Sequence, residues 1–201
     1  MEFVGVLGKS TGSLLKQLSE RYTDADIKCF VNHEGIRDYQ LIRARTQALE
    51  NGFEVFITDV DTMSVTNIKY DILIFACECE NDIKSALNMV KTGGYIIVNA
   101  DDCHDLLESV SDIKIITCGV SRKAMITFSG IKENKVGKET IQCCLQEKII
   151  TLSKRYIDPQ EFAVNVVGVD YPLSEVLMVI TTAIIADIEE TVTSVKLFSK
   201  D

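Results

Sequence analysis

The sequence predicts an α/β fold with a doubly wound, mainly parallel sheet, and three observations carry this prediction. Short apolar runs alternate with amphipathic helical patterns at close spacing over about residues 1–122. The run 71–77 (DILIFAC) is almost continuously apolar, as expected of a strand buried on both faces. A glycine-containing turn joins the first apolar run directly to the first helical pattern. A small antiparallel strand set is predicted in the C-terminal third.

Hydrophobic periodicity sets the elements of the parallel part. Residues 2–7 form the first strand, and a helix over 10–21 follows with its leucines on one side. A second helix over 37–51 ends at Asn51-Gly52, a combination typical of helix C-termini. The other elements are predicted, in chain order, as strands 27–31, 53–57 and 71–77, helix 81–90, strand 95–98, helix 102–110 and strand 113–118.

The pattern changes after residue 122. Apolar runs at 125–131, 140–145 and 148–152 are joined by polar turns, which predicts three adjacent strands of an antiparallel meander. A final helix over 173–188 returns to the core. The chain has only two prolines, which leaves little room for a flexible linker. We therefore expect one domain over 1–201, with the antiparallel strands and the closing helix at about 123–188.

Composition excludes several classes of function. The 201-residue chain is 46% hydrophobic, so it can bury a substantial core. Its net charge of −9 argues against nucleic-acid binding, which needs a basic surface. Seven cysteines without framework spacing indicate free thiols in a reducing compartment. No early apolar leader and no run of about 18 apolar residues is present, so we expect a cytoplasmic protein that does not enter a membrane.

The turn after the first strand carries a phosphate-loop pattern, Gly5-x-x-Gly8-Lys9-Ser10-Thr11. Strand, glycine turn and helix in this order let backbone N–H groups and a helix N-terminus surround a phosphate. Lys9 would place its charge at the β- and γ-phosphates, and Ser10 would offer a hydroxyl to Mg²⁺. The pattern is shorter than GxxxxGK[ST]. A plain strand-to-helix turn with a surface lysine is the alternative.

A second interpretation treats the same glycines as a dinucleotide loop. Gly5, Gly8 and Gly12 then approach the pyrophosphate of NAD, and Glu34 after the second strand holds the ribose. A lysine in the loop is unusual for that class.

Acidic residues follow several of the predicted strands. Asp59 and Asp61 come after strand 53–57, and Asp101 and Asp102 come after strand 95–98. The carboxyl ends of parallel strands share one edge of the sheet, where ligands bind, and carboxylates there suit Mg²⁺. For Asp101 and Asp102, capping of helix 102–110 is the better-supported role.

Three segments carry a family resemblance. Residues 5–11 (GVLGKST) match, in register, a loop pattern GTNGK[ST]T that is shared by one family of proteins. Residues 70–75 (YDILIF) look like a strand of the same family, in which Tyr-Asp precedes a run of apolar residues. Residues 90–102 (VKTGGYIIVNADD) resemble its segment of lysine, paired glycines, apolar strand and NADD. The pattern is that of the central, ATP-binding domain of the Mur ligases, ATP-dependent amide ligases that have folylpolyglutamate synthetases as relatives. The resemblance spans nearly the whole chain.

The resemblance implies ATP and Mg²⁺ as ligands. The residues that it assigns to the nucleotide are Gly5, Gly8, Lys9, Ser10 and Thr11, and those for the metal are Ser10 and Asp59. The departures concern chemistry. The family's catalytic Glu stands here as Asp59, its metal-associated His as Asp82, and its His-Asn pair as Asp170-Tyr171.

The family's flanking domains have no counterpart in this sequence, and its ligases form an acyl-phosphate in a cleft that those domains close. We therefore expect a stand-alone, degenerate domain that binds ATP and Mg²⁺ and acts as a non-catalytic or partner-dependent protein. A protein partner or a homo-oligomer would fit this role. The alternatives are an ATP-dependent amide ligase or ATPase completed by a partner chain, a scaffold without nucleotide binding, and an NAD-binding domain.

Overall fold

Eleven strands and three helices are present in the part of the chain that the structure, a computed structural model, describes. The described residues are 1–8, 11–32, 38–60, 68–76, 87–102, 113–133, 138–167 and 172–188. They group into two units. The first unit comprises Met1–Val98 and Asp102–Ile115, and the second comprises Asn99–Asp101 and Ile116–Asp201. The single domain expected from the sequence stays a prediction.

The first unit is built on a parallel sheet, as the sequence predicts. Its strands are β1 (Glu2–Gly8), β2 (Cys29–Asn32), β3 (Val55–Val60), β4 (Tyr70–Ala76) and β5 (Val90–Asn99). They lie in the order β5-β4-β1-β3-β2, and each neighbouring pair is parallel. The chain extends the sheet from β1 to one side as far as β2 and then returns to the other side with β4. The strand order therefore reverses beside β1, the place where open α/β sheets bind ligands.

Helices α1 (Gly12–Asp24) and α2 (Asp38–Glu50) cover opposite faces of this sheet. The Tyr22 hydroxyl of α1 donates a 2.6 Å hydrogen bond to the Glu2 carboxylate of β1. Leu41 and Ala48 of α2 belong instead to the core cluster that contains Phe3. Because successive strand residues point to opposite faces, Glu2 and Phe3 mark the two sides. The first unit is therefore doubly wound, as the sequence predicts.

The paired glycines of 92–94 are inside a strand, which differs from the sequence prediction. We expected helix 81–90 to end at these residues and a strand to begin at Tyr95, but β5 already begins at Val90. A Cβ on Gly94 would lie 2.9 Å from the Asp71 carbonyl oxygen of β4, so only glycine fits this contact. Residues 81–86 and 103–110, which hold most of two predicted helices, lie outside the described residues.

The second unit contains the antiparallel strands. Its elements are most of β6 (Lys114–Gly119), which begins in the first unit, β7 (Ile126–Glu133), β8 (Lys138–Leu145), β9 (Ile149–Ile150), β10 (Tyr156–Ile157), β11 (Gln160–Val167) and the helix α3 (Leu173–Ile185). β6 is parallel to β7, and β7, β8 and β11 are antiparallel neighbours.

The predicted meander is right for its first two strands and wrong for the third. Residues 148–152 form only the short β9, which pairs with β10 in a separate two-stranded sheet. The place beside β8 is taken by β11, whose Phe162 and Val164 are buried. Pairing along eight residues of β8 buries more apolar surface than a two-residue strand can, which explains this choice.

Four cysteines lie within the described ranges of the chain. Cys29, Cys118, Cys143 and Cys144 are free thiols, and burial raises the pKa of both Cys118 and Cys143 to about 12. Neither buried thiol is therefore ionised at neutral pH.

Within the described ranges, the longest apolar helix is too short to span a lipid bilayer.

Candidate functional site

The turn after β1 lies at the carboxyl end of the parallel strands, beside the point where the strand order reverses. β1 ends at Gly8 and α1 begins at Gly12, so residues 9–11 connect them. Gly8 lies beside Ala76 of β4, and a Cβ at Gly8 would be 2.5 Å from the Ala76 carbonyl oxygen. A backbone oxygen cannot move away as a flexible side chain can. Gly8 is therefore required by the packing of β1 against β4.

Gly5 is part of the strand, three residues before its end. It pairs with Thr58 of β3 and Leu73 of β4. A Cβ there would be 2.8 Å from Leu73 Cδ1 and 2.9 Å from Val60 Cγ2, so the missing side chain makes room for core residues. The strand ladder thus takes up residues 5–8, which the sequence interpretation assigned to a loop around phosphate. Their assignment as nucleotide ligands stays a prediction.

Thr11 and Gly12 form the start of α1. Thr11 is 6% exposed, and its carbonyl oxygen accepts the Leu15 N–H at 2.9 Å, which begins the helical hydrogen bonds. The Thr11 side chain makes no capping bond to the first N–H groups, and the first turn holds no acidic residue. Nothing lies within 4 Å of a Cβ built on Gly12. A helix N-terminus carries a partial positive charge, which suits an anion. Lys9 and Ser10 lie outside the described residues.

Asp59 is the candidate metal ligand that the structure describes. The sequence placed it after the strand, whereas it is the fifth residue of β3 and pairs in register with Val6 of β1. Alternation along the strands puts its side chain on the face that α1 covers. It is half-buried. No group of three or more His, Cys, Asp or Glu among the described residues is arranged to hold a metal ion. Its partner Ser10 is not described, so the magnesium site stays a prediction.

Asp101 has a role that the sequence interpretation missed. Its two carboxylate oxygens accept the backbone N–H groups of Val120 and Ser121 at 2.8 and 2.7 Å. The Asn99 side-chain oxygen accepts the Asp101 N–H at 3.1 Å. A Cβ on Gly119 would lie 2.8 Å from an Asp101 carboxylate oxygen. The NADD segment therefore holds the turn that follows β6. The helix that Asp101 was expected to cap lies outside the described residues.

Replacing Asp101 by asparagine is expected to lower the free energy of unfolding by about 1–2 kcal/mol. The amide keeps one acceptor oxygen but turns an NH₂ group toward a backbone N–H. Urea denaturation of D101N measures the loss. The control is D158N, because Asp158 is exposed and forms a surface ion pair with Lys148, worth less than about 1 kcal/mol. Equal losses in the two variants would contradict the role assigned to Asp101.

Comparison of the sequence with protein-family models gave no match. A search of curated proteins also found no similar sequence.

Solved structures share the fold. UDP-N-acetylmuramoyl-L-alanyl-D-glutamate–2,6-diaminopimelate ligase matches with a TM-score of 0.68 and 13% identity, over 100% of this chain and 47% of the ligase. MurF ligase from Thermotoga maritima, in complex with ADP, matches with a TM-score of 0.56 and 13% identity, over 98% of this chain and 47% of MurF.

A third solved structure is a folylpolyglutamate synthase/dihydrofolate synthase from Yersinia pestis, complexed with AMPPNP and Mn. It matches with a TM-score of 0.57 and 11% identity, over 98% of this chain and 58% of that enzyme. The chain therefore has a Mur-ligase-like fold, and it spans about half the length of the ligases it matches.

Proposed function

We propose that this chain is a Mur-ligase-like domain that binds a nucleoside triphosphate with Mg²⁺ and serves as a non-catalytic or partner-dependent protein of the cytoplasm. The observation that carries the proposal is the sequence Gly8-Lys9-Ser10-Thr11 between β1 and α1, at the reversal of strand order. Two solved proteins of the same fold are complexes with ADP and with AMPPNP and Mn.

The residues of the turn suit the phosphates by their chemistry. Lys9 brings a positive charge, and the start of α1, where the Thr11 side chain makes no capping bond, adds the partial positive charge of a helix N-terminus. Ser10 offers a hydroxyl to Mg²⁺, and Asp59 on the α1 face of β3 would be a second oxygen ligand. Gly8 and Thr11 shape the turn, and Gly5 supports it by letting β1 pack in the core.

The proposed lack of independent catalysis rests on the departures in the sequence. The position of the family's catalytic Glu holds Asp59, whose side chain is one methylene shorter, and the His-Asn pair is replaced by Asp170-Tyr171. A shorter carboxylate places its charge about 1 Å from where the longer one acts, and such a displacement can cost about 100-fold in rate. An ATP-dependent amide ligase or ATPase completed by another chain is the enzymatic form of the same proposal. It requires phosphate release that appears when the partner is added.

One observation favours a second candidate, a scaffold that does not bind nucleotide. Residues 5–8 are all paired with β4, up to and including Gly8. They are therefore not available to wrap around a phosphate as the longer GxxxxGK[ST] loop does. In this candidate Gly5 and Gly8 serve packing alone, and Lys9 is a surface residue. The two candidates differ in one measurable property, the change in stability when a nucleotide is added.

Mg-ATP is expected to raise the free energy of unfolding of the wild-type chain by about 2.7 kcal/mol at a concentration of 100 Kd. Lys9→Ala should remove most of this gain, because the phosphates lose their charged partner. The matched control is Lys16→Ala on the exposed side of α1, where Lys16 forms a long ion pair with Glu20 at 3.8 Å, and it should keep the gain. Thermal denaturation with ATP, ADP and NAD, each with and without Mg²⁺, provides the measurement.

The pattern of ligands separates the proposals. If NAD is the nucleotide that stabilises the chain and ATP does not, the chain binds a dinucleotide and not a nucleoside triphosphate. No stabilisation by any nucleotide at millimolar concentration would leave the scaffold as the function. Stabilisation that is the same in Lys9→Ala would place the nucleotide elsewhere on the chain.

A further inference from the structure

Helix α2 carries an apolar stripe on its outer side. Tyr39, Ile42 and Leu49 are 67%, 54% and 49% exposed, although all three are large apolar side chains. Together with Thr46 they are spaced by three, four and three residues along the helix, so they form one continuous line on its surface. We call these four residues the α2 stripe.

The α2 stripe is not part of the core of its own unit. The core side of α2 is formed by Leu41 and Ala48, which are 4% and 0% exposed and pack in the cluster with Phe3. At 100° per residue these two positions lie on the opposite side of the helix from the stripe. α2 is therefore apolar on two sides, and only one of them is covered within the first unit.

Thr46 does not interrupt the apolar character of the stripe. Its hydroxyl donates a 3.0 Å hydrogen bond to the Ile42 carbonyl oxygen within the helix. The donor is satisfied locally, so another surface can cover Thr46 without leaving a polar hydrogen unpaired. Its remaining methyl group adds to the apolar surface.

The charges beside the stripe are self-complementary. Arg43 follows Ile42, and Glu50 follows Leu49. The two charged residues are therefore seven residues apart, as the two apolar ones are, and both lie on the same flank of the stripe. If two copies of α2 pair antiparallel about a two-fold axis, Ile42 meets Leu49 of the second copy. The same arrangement brings Arg43 within reach of Glu50 of the second copy, and it does so twice because of the symmetry.

Arg45 lies on the other flank of the stripe. In the antiparallel pair, the positive charge of Arg45 in one copy would face that of Arg45 in the second copy. Its guanidinium carbon is 4.7 Å from the centre of the Phe3 ring, so the side chain turns back onto its own unit. This contact draws the charge away from the α2 stripe and weakens the repulsion.

We propose that the α2 stripe is the contact surface of a homodimer in which two copies pair this helix antiparallel. The thirteen residues of α2 extend over about 20 Å, which is short for a protein interface. The area is small, so the dimer is weak and reversible and forms at micromolar or higher concentrations. The apolar residues supply the affinity, and the Arg43–Glu50 pairs set the register and the antiparallel direction.

Sedimentation velocity of the wild-type chain from about 1 to about 500 µM is expected to show a monomer–dimer equilibrium. The double variant I42E/L49E should raise the dimer Kd at least about tenfold, because it removes two apolar contacts and adds four negative charges to the dimer. The matched control is I131E. Ile131 is 48% exposed on β7, outside α2, and its replacement should leave the Kd unchanged.

A charge-swap series tests the register. R43E and E50R should each weaken the dimer about two- to fivefold, and the double variant R43E/E50R should restore it, because both pairs are rebuilt with their signs exchanged. A chain that stays monomeric over the whole range overturns the proposal. A dimer with the same Kd in I42E/L49E also overturns it, as does equal weakening by I131E. Failure of the double charge swap to recover the Kd overturns the antiparallel register.

Discussion

Gly8→Ala is expected to lower the free energy of unfolding by about 3 kcal/mol, the upper end of the usual cost of overpacking. The added methyl would lie 2.5 Å from the Ala76 carbonyl oxygen and 2.9 Å from its carbonyl carbon. Both are backbone atoms of β4, so relief requires β1 and β4 to separate where the sheet carries the candidate turn. Urea denaturation of the variant, with ΔG extrapolated to water, measures the cost.

Gly12→Ala is the matched control for Gly8→Ala. Gly12 is the first residue of α1, and nothing lies within 4 Å of its Cβ position. Alanine there reduces the entropy of the unfolded chain without a clash, so this variant should be neutral or more stable by up to about 1 kcal/mol. If Gly8→Ala were as stable as Gly12→Ala, the close contact between β1 and β4 would be wrong.

Glu2→Gln is expected to stabilise the protein at pH 8 by about 2–3 kcal/mol. Burial raises the pKa of Glu2 to about 7 from 4.5, against the opposing effect of the hydrogen bond from Tyr22. Asp71 nearby raises this pKa further, whereas Lys91 lowers it. At pH 8 the folded protein therefore holds a partly buried carboxylate at a cost. Glutamine removes the charge and keeps an oxygen that can accept the 2.6 Å bond from the Tyr22 hydroxyl.

The sign of the pH dependence follows from the raised pKa. Between about pH 4.5 and pH 7 the folded state holds the Glu2 proton more tightly than the unfolded state does. The stabilising contribution of this group is thus complete below pH 4.5 and is lost as the pH rises through 7. In E2Q this loss should disappear. The difference in unfolding free energy between E2Q and wild type, measured at several pH values, isolates the contribution of this one residue.

Glu54→Gln controls for the loss of one negative charge. Glu54 is exposed, and its carboxylate makes only a long 3.4 Å hydrogen bond with the Lys28 N–H. Its replacement should change the unfolding free energy by less than about 0.5 kcal/mol. If E2Q and E54Q had the same pH profile, burial of Glu2 would not be the cause of the effect.

Local sequence patterns were sufficient for most of the parallel part. The alternation of apolar residues in β1 and the leucines of α1 appear at short range in the chain, and the run at 70–76 is apolar because β4 is buried on both faces. The predicted ends of the strands were less exact. β1 continues through Gly8 and β5 begins at Val90, because each end depends on hydrogen bonds to a neighbouring strand rather than on the residues themselves.

For the candidate turn too, some features could be predicted from the sequence and others could not. Its position between β1 and α1, at the carboxyl end of the sheet, could be predicted because a strand, a glycine turn and a helix follow one another directly. The packing role of Gly8 could not be predicted, since Ala76 is 68 residues away in the chain. Asp101 is a further example, because its bonds to Val120 and Ser121 join residues about twenty positions apart.

The sequence by itself therefore determined the α/β class, the order of the first elements and the site of the turn, because these follow from interactions between residues close in the chain. Only the tertiary structure decided that β11 rather than β9 lies beside β8, that Gly8 is required by packing against a backbone oxygen, and that α2 leaves an apolar stripe uncovered. The physical reason is common to all three. Strand pairing and close contacts are set by which distant residues meet, and a local pattern does not specify the partner.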